Sequence, residues 1–129
     1  MSLIFEVKSP ILGFEDLQTV ELKKIDEFFS SIKSVEKPLT AFTVVNPYEL
    51  REYSFDLPVT IKILLDIKDG SKLEVFNIVV LQNPIEKSLI NFLAPIVFNY
   101  DNMTMGQVVL EQLAYPEFSF AQEFSQFIK

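Results

Sequence analysis

Cysteine and histidine are both missing from the 129 residues. Without thiols there is no disulfide, no iron–sulfur cluster, no thiolate zinc site and no cysteine nucleophile. Without imidazole, the usual general base near neutral pH and the commonest metal ligand are gone as well. Tryptophan is absent, and the three glycines are too few for a phosphate-cradling loop. No apolar run approaches the roughly 18–20 residues that a membrane span needs. Residues 1–10 show no cationic stretch followed by a long apolar core, so neither a membrane anchor nor a secretory signal is expected. The simplest location is the cytoplasm.

Positive charge is also scarce. The chain has 18 acidic residues against 11 basic ones, a net charge of −7. Naked nucleic acid is therefore a poor partner, because binding it requires a lysine and arginine footprint. A basic protein suits this field better, since opposite charges steer encounter. The same charge also serves to keep a greasy domain in solution.

What is present in quantity is apolar. Hydrophobic residues make up 49% of the chain and phenylalanine alone accounts for 13 positions. That excludes disorder and supplies a core for one domain spanning residues 1–129. Leu3, Phe5 and Val7 alternate with Ile4, Glu6 and Lys8, a strand pattern that Pro10 ends. Gly13 then permits an unusual backbone angle before Phe14. Val20 and Leu22 mark a second strand in "TVELKK". Ile25, Phe28, Phe29 and Ile32 fall at helical spacing, so a short helix is expected there. "AFTVV" restores the strand signal, and Asn46–Pro47 stops it.

From Leu57 to Ile67 every second residue is aliphatic, which argues for a strand turning at Asp69–Gly70. Ile61, Leu64 and Leu65 also make a short helical face, with Asp56 available as a cap and Gly70 as a stop, so both assignments stay open. "KLEVFNIVVLQ" (72–82) is the clearest strand. "LINFLAPIVFNYD" (89–101) and "GQVVLEQLAY" (106–115) read as two more, separated by "NMTM". Phe120, Phe124, Phe127 and Ile128 form one stripe of an amphipathic C-terminal helix. The pattern as a whole predicts an all-β domain: a small antiparallel β-barrel with one to three short helices.

No constellation for catalysis emerges. There is no Gly-x-Ser-x-Gly turn, and Lys87 and Ser88, as neighbours on a strand, would point to opposite faces. The carboxylate doublets Glu15–Asp16 and Asp26–Glu27 lack the spacing of a calcium loop. No cofactor is called for. "NPYELREYSFD" holds more promise: Tyr48, Tyr53 and Phe55 sit among Glu49, Arg51, Glu52 and Asp56, the mixture an interaction surface wants. The same aromatics equally suit a loop tucked against the barrel.

Four motifs together resemble the FliW family of flagellar assembly factors over nearly the whole chain. They are "SPILGFED", "FTVVNPYELREYSF", "FNIVVL" and "NFLAPIVFNYDNMTMGQVVLEQLAY", in that order and at compatible spacing. The resemblance implies a β-barrel-like fold, and a helix rather than a strand over residues 58–67. It implies a cytoplasmic protein that is not an enzyme. Such a protein binds the C-terminal region of flagellin before export. When free of flagellin it binds CsrA, a small RNA-binding repressor, and lifts the block on flagellin mRNA. A plain export chaperone without the regulatory half is the competing expectation.

On this reading "INFLAPIVFN" (90–99) builds or buttresses an apolar groove for a flagellin helix. Pro95, unable to complete a ladder, marks an edge or bulge, and Asn91 anchors a turn or a partner's backbone. Tyr48, Tyr53, Phe55, Asn91, Pro95 and Phe98 are the candidate partner-binding residues. Phe92, Ile96 and Phe98 are better suited to plain core duty. The C-terminal helix either caps the barrel permanently or covers the site until displaced.

Overall fold

The computed structural model describes residues 2–128. Nine strands follow in chain order: β1 Ser2–Ser9, β2 Thr19–Lys24, β3 Phe29–Ser34, β4 Ala41–Val45, β5 Leu73–Val80, β6 Leu89–Ile90, β7 Ile96–Asn99, β8 Thr104–Gln107 and β9 Gln122–Glu123. One short helix, α1 Val59–Leu64, and 3-10 turns at Pro47–Glu49, Ile85–Lys87 and Phe124–Gln126 complete the described elements. Seven strands close a ring in the order β4-β3-β2-β1-β8-β7-β5, with β5 pairing back onto β4. The all-β barrel expected from the pattern is therefore present. Its pairings are antiparallel apart from β1 with β8, which run parallel where the chain's first and last barrel strands meet. Gly106 permits that approach, because a Cβ there would lie 2.8 Å from the Cβ of Ser9.

Period-two patterning fills the barrel. Phe5, Val20, Ile32, Val44, Phe76 and Phe98 point inward and make one buried cluster. β5 is apolar almost throughout because it is buried on both faces. Phe76 enters the barrel, while Val75 and Val79 face outward under a second layer made by residues 46–67 and 108–128.

"INFLAPIVFN" owes its imperfection to this double duty. β5 is opposed first by β7, from Leu73 against Asn99 to Phe76 against Ile96, and then by β6, from Val79 against Ile90 to Val80 against Leu89. Eight residues of β5 thus face eleven residues of its partner, and the three extra residues form a bulge around 91–95. Pro95 lies in that bulge, where it owes no hydrogen to β5. The bulged carbonyls pair on the other side: Val108 N–H donates to Pro95 C=O (2.8 Å) and Leu110 N–H to Leu93 C=O (2.7 Å). β8 consequently begins at Thr104, inside the expected "NMTM" separator, and its ladder bonding reaches Leu110. Beyond that point the "LEQLAY" part of the expected strand is turns.

Two further expectations are corrected. The helix over Ile25–Ile32 is instead a hairpin leading into β3. Asp26 Oδ1 accepts from the N–H groups of Phe28 and Phe29, both at 2.9 Å, which folds the turn. Ile25 is 58% exposed while Ile32 is fully buried, so the apparent helical stripe does not share a face. Pairing with β2 and β4 on both sides overrides four residues of helical spacing. The terminal amphipathic helix shrinks to the two residues of β9 and a single 3-10 turn. Its stripe is divided, with Phe124 buried and Phe120 56% exposed, because 122–123 pair with the open edge of β6.

Residues 58–67 follow the family resemblance rather than the strict alternation. Pro58 sets the helix start, and Asp66 ends the segment with φ near +51°. Ile61 and Leu65, one turn apart, are buried; Val59 and Ile63, which a strand would have placed on the same face as Ile61, are exposed. The barrel ring is completed without this segment, and the edge of β6 is taken by β9.

Candidate functional site

The Asn46–Pro47 stop builds the site's frame. Asn46 Oδ1 accepts from the Tyr48 N–H at 2.9 Å, and the 3-10 turn it caps directs the chain across the outer faces of β5 and β7. Arg51 then inserts into the second layer. Its guanidinium carbon lies 4.9 Å from the ring centres of Phe92 and Phe118 and 5.3 Å from that of Phe127. It also donates to Gln122 Oε1 (3.3 Å) and to the carbonyl of Glu117 (3.4 Å). One cation therefore ties the 46–57 segment to the C-terminal segment. The two segments meet again where Asp56 N–H donates to the Tyr115 hydroxyl at 2.9 Å.

Tyr53 is buried beside this clamp. Its hydroxyl donates to the carbonyl of Phe92 (2.6 Å) and accepts from Asn77 Nδ2 (3.2 Å), which also donates to the carbonyl of Asn91 (2.9 Å). Burial pushes the Tyr53 phenol well above its ordinary value of 10.0, and burial together with Glu74 does the same to Tyr100. A phenol whose folded value is raised contributes stability that is complete below about pH 10 and is lost above it, because only the unfolded chain ionises there. Stability to urea should therefore stay flat from pH 8 to about 10 and fall beyond. Tyr53→Phe should lower stability by about 1–3 kcal/mol at pH 8, leaving the Phe92 carbonyl unpaired, and should soften the alkaline fall. Urea midpoints across that pH range check both expectations.

The structure brings Tyr48, Tyr53 and Phe55 together. With Ser54, Leu57, Leu73, Val75 and Val97 they line a cleft of about 340 Å³ between the 48–57 segment and the outer barrel wall. The other three candidates lie elsewhere. Asn91 sits in the bulge, where its Oδ1 accepts from the Leu93 N–H at 3.0 Å and closes a turn. Pro95 is buried in the same bulge. Phe98 is wholly inside the barrel, edge-on to Phe5 at 4.8 Å and to Phe76 at 5.6 Å. Phe92, one of the residues suited to core duty, is likewise fully buried.

Asn91 does line a second recess, a groove of about 270 Å³ at the barrel mouth where β1 and β8 end. Its walls are Ile11, Leu12, Phe14, Phe42, Ile78, Ala94, Gln107, Val109 and Phe120, without an ionisable side chain. Gln107 shapes it from both directions: its Oε1 accepts from the Leu12 N–H (2.7 Å) and its Nε2 donates to the Ala94 carbonyl (3.2 Å). Gly13, at φ near +89°, bends the 10–14 loop so that Leu12 and Phe14 project. Leu12 is 72% exposed, and Phe14, Val109 and Phe120 also face solvent. Sequence reasoning overlooked this groove, because nothing in "ILGF" shows that the fold leaves Leu12 and Phe14 outside.

Neither recess holds a nucleophile with a base, and no group of three or more His, Cys, Asp or Glu side chains able to hold a metal occurs among the described residues. No described helix is long and apolar enough to cross a membrane. Apolar recesses on a rigid closed sheet are suited to receiving side chains of another protein.

The fold and its two recesses define a small closed β-barrel domain with an aromatic outer layer. Among solved structures, a crystal structure of the flagellar assembly factor FliW shares this fold, with a TM-score of 0.86 at 22% identity over 98% of this chain and 86% of that one. The FliW protein family profile matches residues 1–122. Two proteins of Wolinella succinogenes are similar in sequence. Flagellar assembly factor FliW 2 is 50% identical over 123 residues, covering 95% of this chain and 90% of that one. Flagellar assembly factor FliW 1 is 48% identical over 127 residues, covering 98% and 99%. The chain belongs to the FliW family.

Proposed function

We propose that this protein is a cytoplasmic flagellar assembly factor that acts by binding, not by catalysis. It holds the C-terminal region of flagellin, and when free of flagellin it binds the repressor CsrA and relieves repression of flagellin mRNA. Family membership and the names of the Wolinella succinogenes relatives support the flagellar role. The observation that carries the flagellin half is the uncharged groove at the barrel mouth, where Leu12, Phe14, Val109 and Phe120 stay exposed around a rigid floor. An amphipathic helix docks by setting apolar anchors into such a groove. The net charge of −7 supports the CsrA half, since an RNA-binding partner carries a basic working surface.

Leu12 and Phe120 are mostly outside the core, so Leu12→Ala/Phe120→Ala should fold normally. Its affinity for a flagellin C-terminal peptide should fall by about 10-fold or more, as loss of well-placed apolar anchors does. Calorimetric titration measures this. Undiminished binding by the double variant would remove the groove from the proposal.

A further inference from the structure

We infer that the opposite mouth of the barrel, where β1 begins, is a binding site for a short aliphatic amine. Two adjoining recesses open there, of about 170 and 110 Å³, and Lys24, Ser30, Glu74 and Phe76 line both. They share no lining residue with the groove where β1 ends or with the cleft beside Tyr48. Strand period builds the site. Lys24 shares the inward face of β2 with Leu22, Ser30 that of β3 with Ile32, and Glu74 that of β5 with Phe76. Polar side chains thus stand where further apolar ones would have plugged the barrel. The larger recess keeps an apolar wall of Leu3, Leu22 and Phe76.

Two independent features call for a cation on an apolar stem. Charge is the first: Asp26, Glu27, Glu49 and Glu74 line the smaller recess against Lys24 alone, a net −3. The ion pairs among the described residues, Lys8–Glu6, Lys37–Asp16 and Lys68–Asp66, lie elsewhere, so none of the four carboxylates is matched and Lys24 pairs with none of them. Tyr100 donates to Glu74 Oε1, and Asp26 Oδ1 accepts from the N–H groups of Phe28 and Phe29, which holds each carboxylate in place with one oxygen to spare. Ser30 is the second feature. It is only 6% exposed, it lines both recesses, and its hydroxyl has no hydrogen-bond partner among the described residues. A hydroxyl so enclosed gains from a ligand that completes its hydrogen bonding. An ammonium at the junction donates to Ser30 Oγ and Glu74, while its carbon chain lies against Leu3, Leu22 and Phe76. The described carboxylates form no group able to hold a metal ion, which favours an organic cation. The small volume suits a free amine better than a lysine carried on a partner's backbone.

Calorimetric titration of the full chain tests the site without reference to flagellin or CsrA. The probes are n-butylamine, putrescine, the uncharged isostere n-butanol and Nα-acetyl-lysine amide, each in low and high salt. The expected result is saturable binding of one butylamine or putrescine per chain, weakened by salt, with no binding of butanol. Glu74→Gln should lower putrescine affinity about 10-fold, and Ser30→Ala and Glu49→Gln several-fold, with thermal melts reporting folding. Glu49 is exposed, so Glu49→Gln decides the matter if Glu74→Gln fails to fold. Absence of saturable amine binding, equal binding of butanol, or full affinity in the folded variants overturns the site. Tighter binding of acetyl-lysine amide than of butylamine overturns the assignment to a free amine.

Discussion

Cutting the chain after Pro116 should abolish its cooperative unfolding transition. The removed segment is short but central to the outer layer. Phe118 and Phe124 are almost completely buried, and their rings pack on Tyr53, Phe92, Phe28 and Phe29. The backbone is tied down too: Phe92 N–H donates to the Ser119 carbonyl (3.0 Å), and Phe124 N–H donates to the Ser88 carbonyl (2.8 Å). Between these bonds, β9 covers the edge of β6, which would otherwise be open. Arg51 would lose Phe118 and Phe127 and keep its charge beside Phe92 alone. Each buried phenylalanine removed costs about 3–5 kcal/mol. Two of them approach the roughly 5–15 kcal/mol that holds a small domain together. Urea unfolding followed by circular dichroism should therefore show a broad or absent transition. A truncated chain that melts sharply and binds the flagellin peptide more tightly would mean that this segment is a displaceable cover.

Phe98→Ala should cost about 3–5 kcal/mol, the loss expected when a large ring leaves a cavity in a closed core. Phe98 has no exposed surface, and its ring sits between Phe5 and Phe76 in the barrel interior. The barrel is closed by backbone ladders on all sides, so its wall has little room to collapse into the space. Phe98→Leu keeps most of the volume and should cost less than about 1.5 kcal/mol. That milder variant separates core from contact: it should bind both partners as the wild type does. Wild-type stability combined with lost flagellin binding would return Phe98 to the binding surface.

Local pattern made the barrel legible wherever each strand met water on one face and core on the other. β1 and β2 alternate, and β5 stands out because both its faces are covered. The reading failed where tertiary pairing decided the outcome. Phe28, Phe29 and Ile32 have helical spacing, but Asp26 folds a turn and two neighbouring strands claim the segment. At 57–67 the alternation was genuine, yet the ring is completed without that segment and β9 takes the edge of β6, and only the family motifs carried the helix. Pro95 correctly signalled a bulge, since a residue without an N–H is informative by itself. Tyr48, Tyr53 and Phe55 stood out in sequence as aromatics among charges, and the fold brings them to one cleft. Leu12 and Phe120 did not stand out, because an apolar residue in sequence gives no sign that the fold leaves it outside.

The central claim is that this barrel works by presenting an apolar groove to another protein. Chemical-shift mapping of the full chain, first with a flagellin C-terminal peptide and then with CsrA, tests it most directly. The peptide should move amides at 11–14, 91–94, 107–109 and 120. Spectra that ignore both proteins would contradict the account.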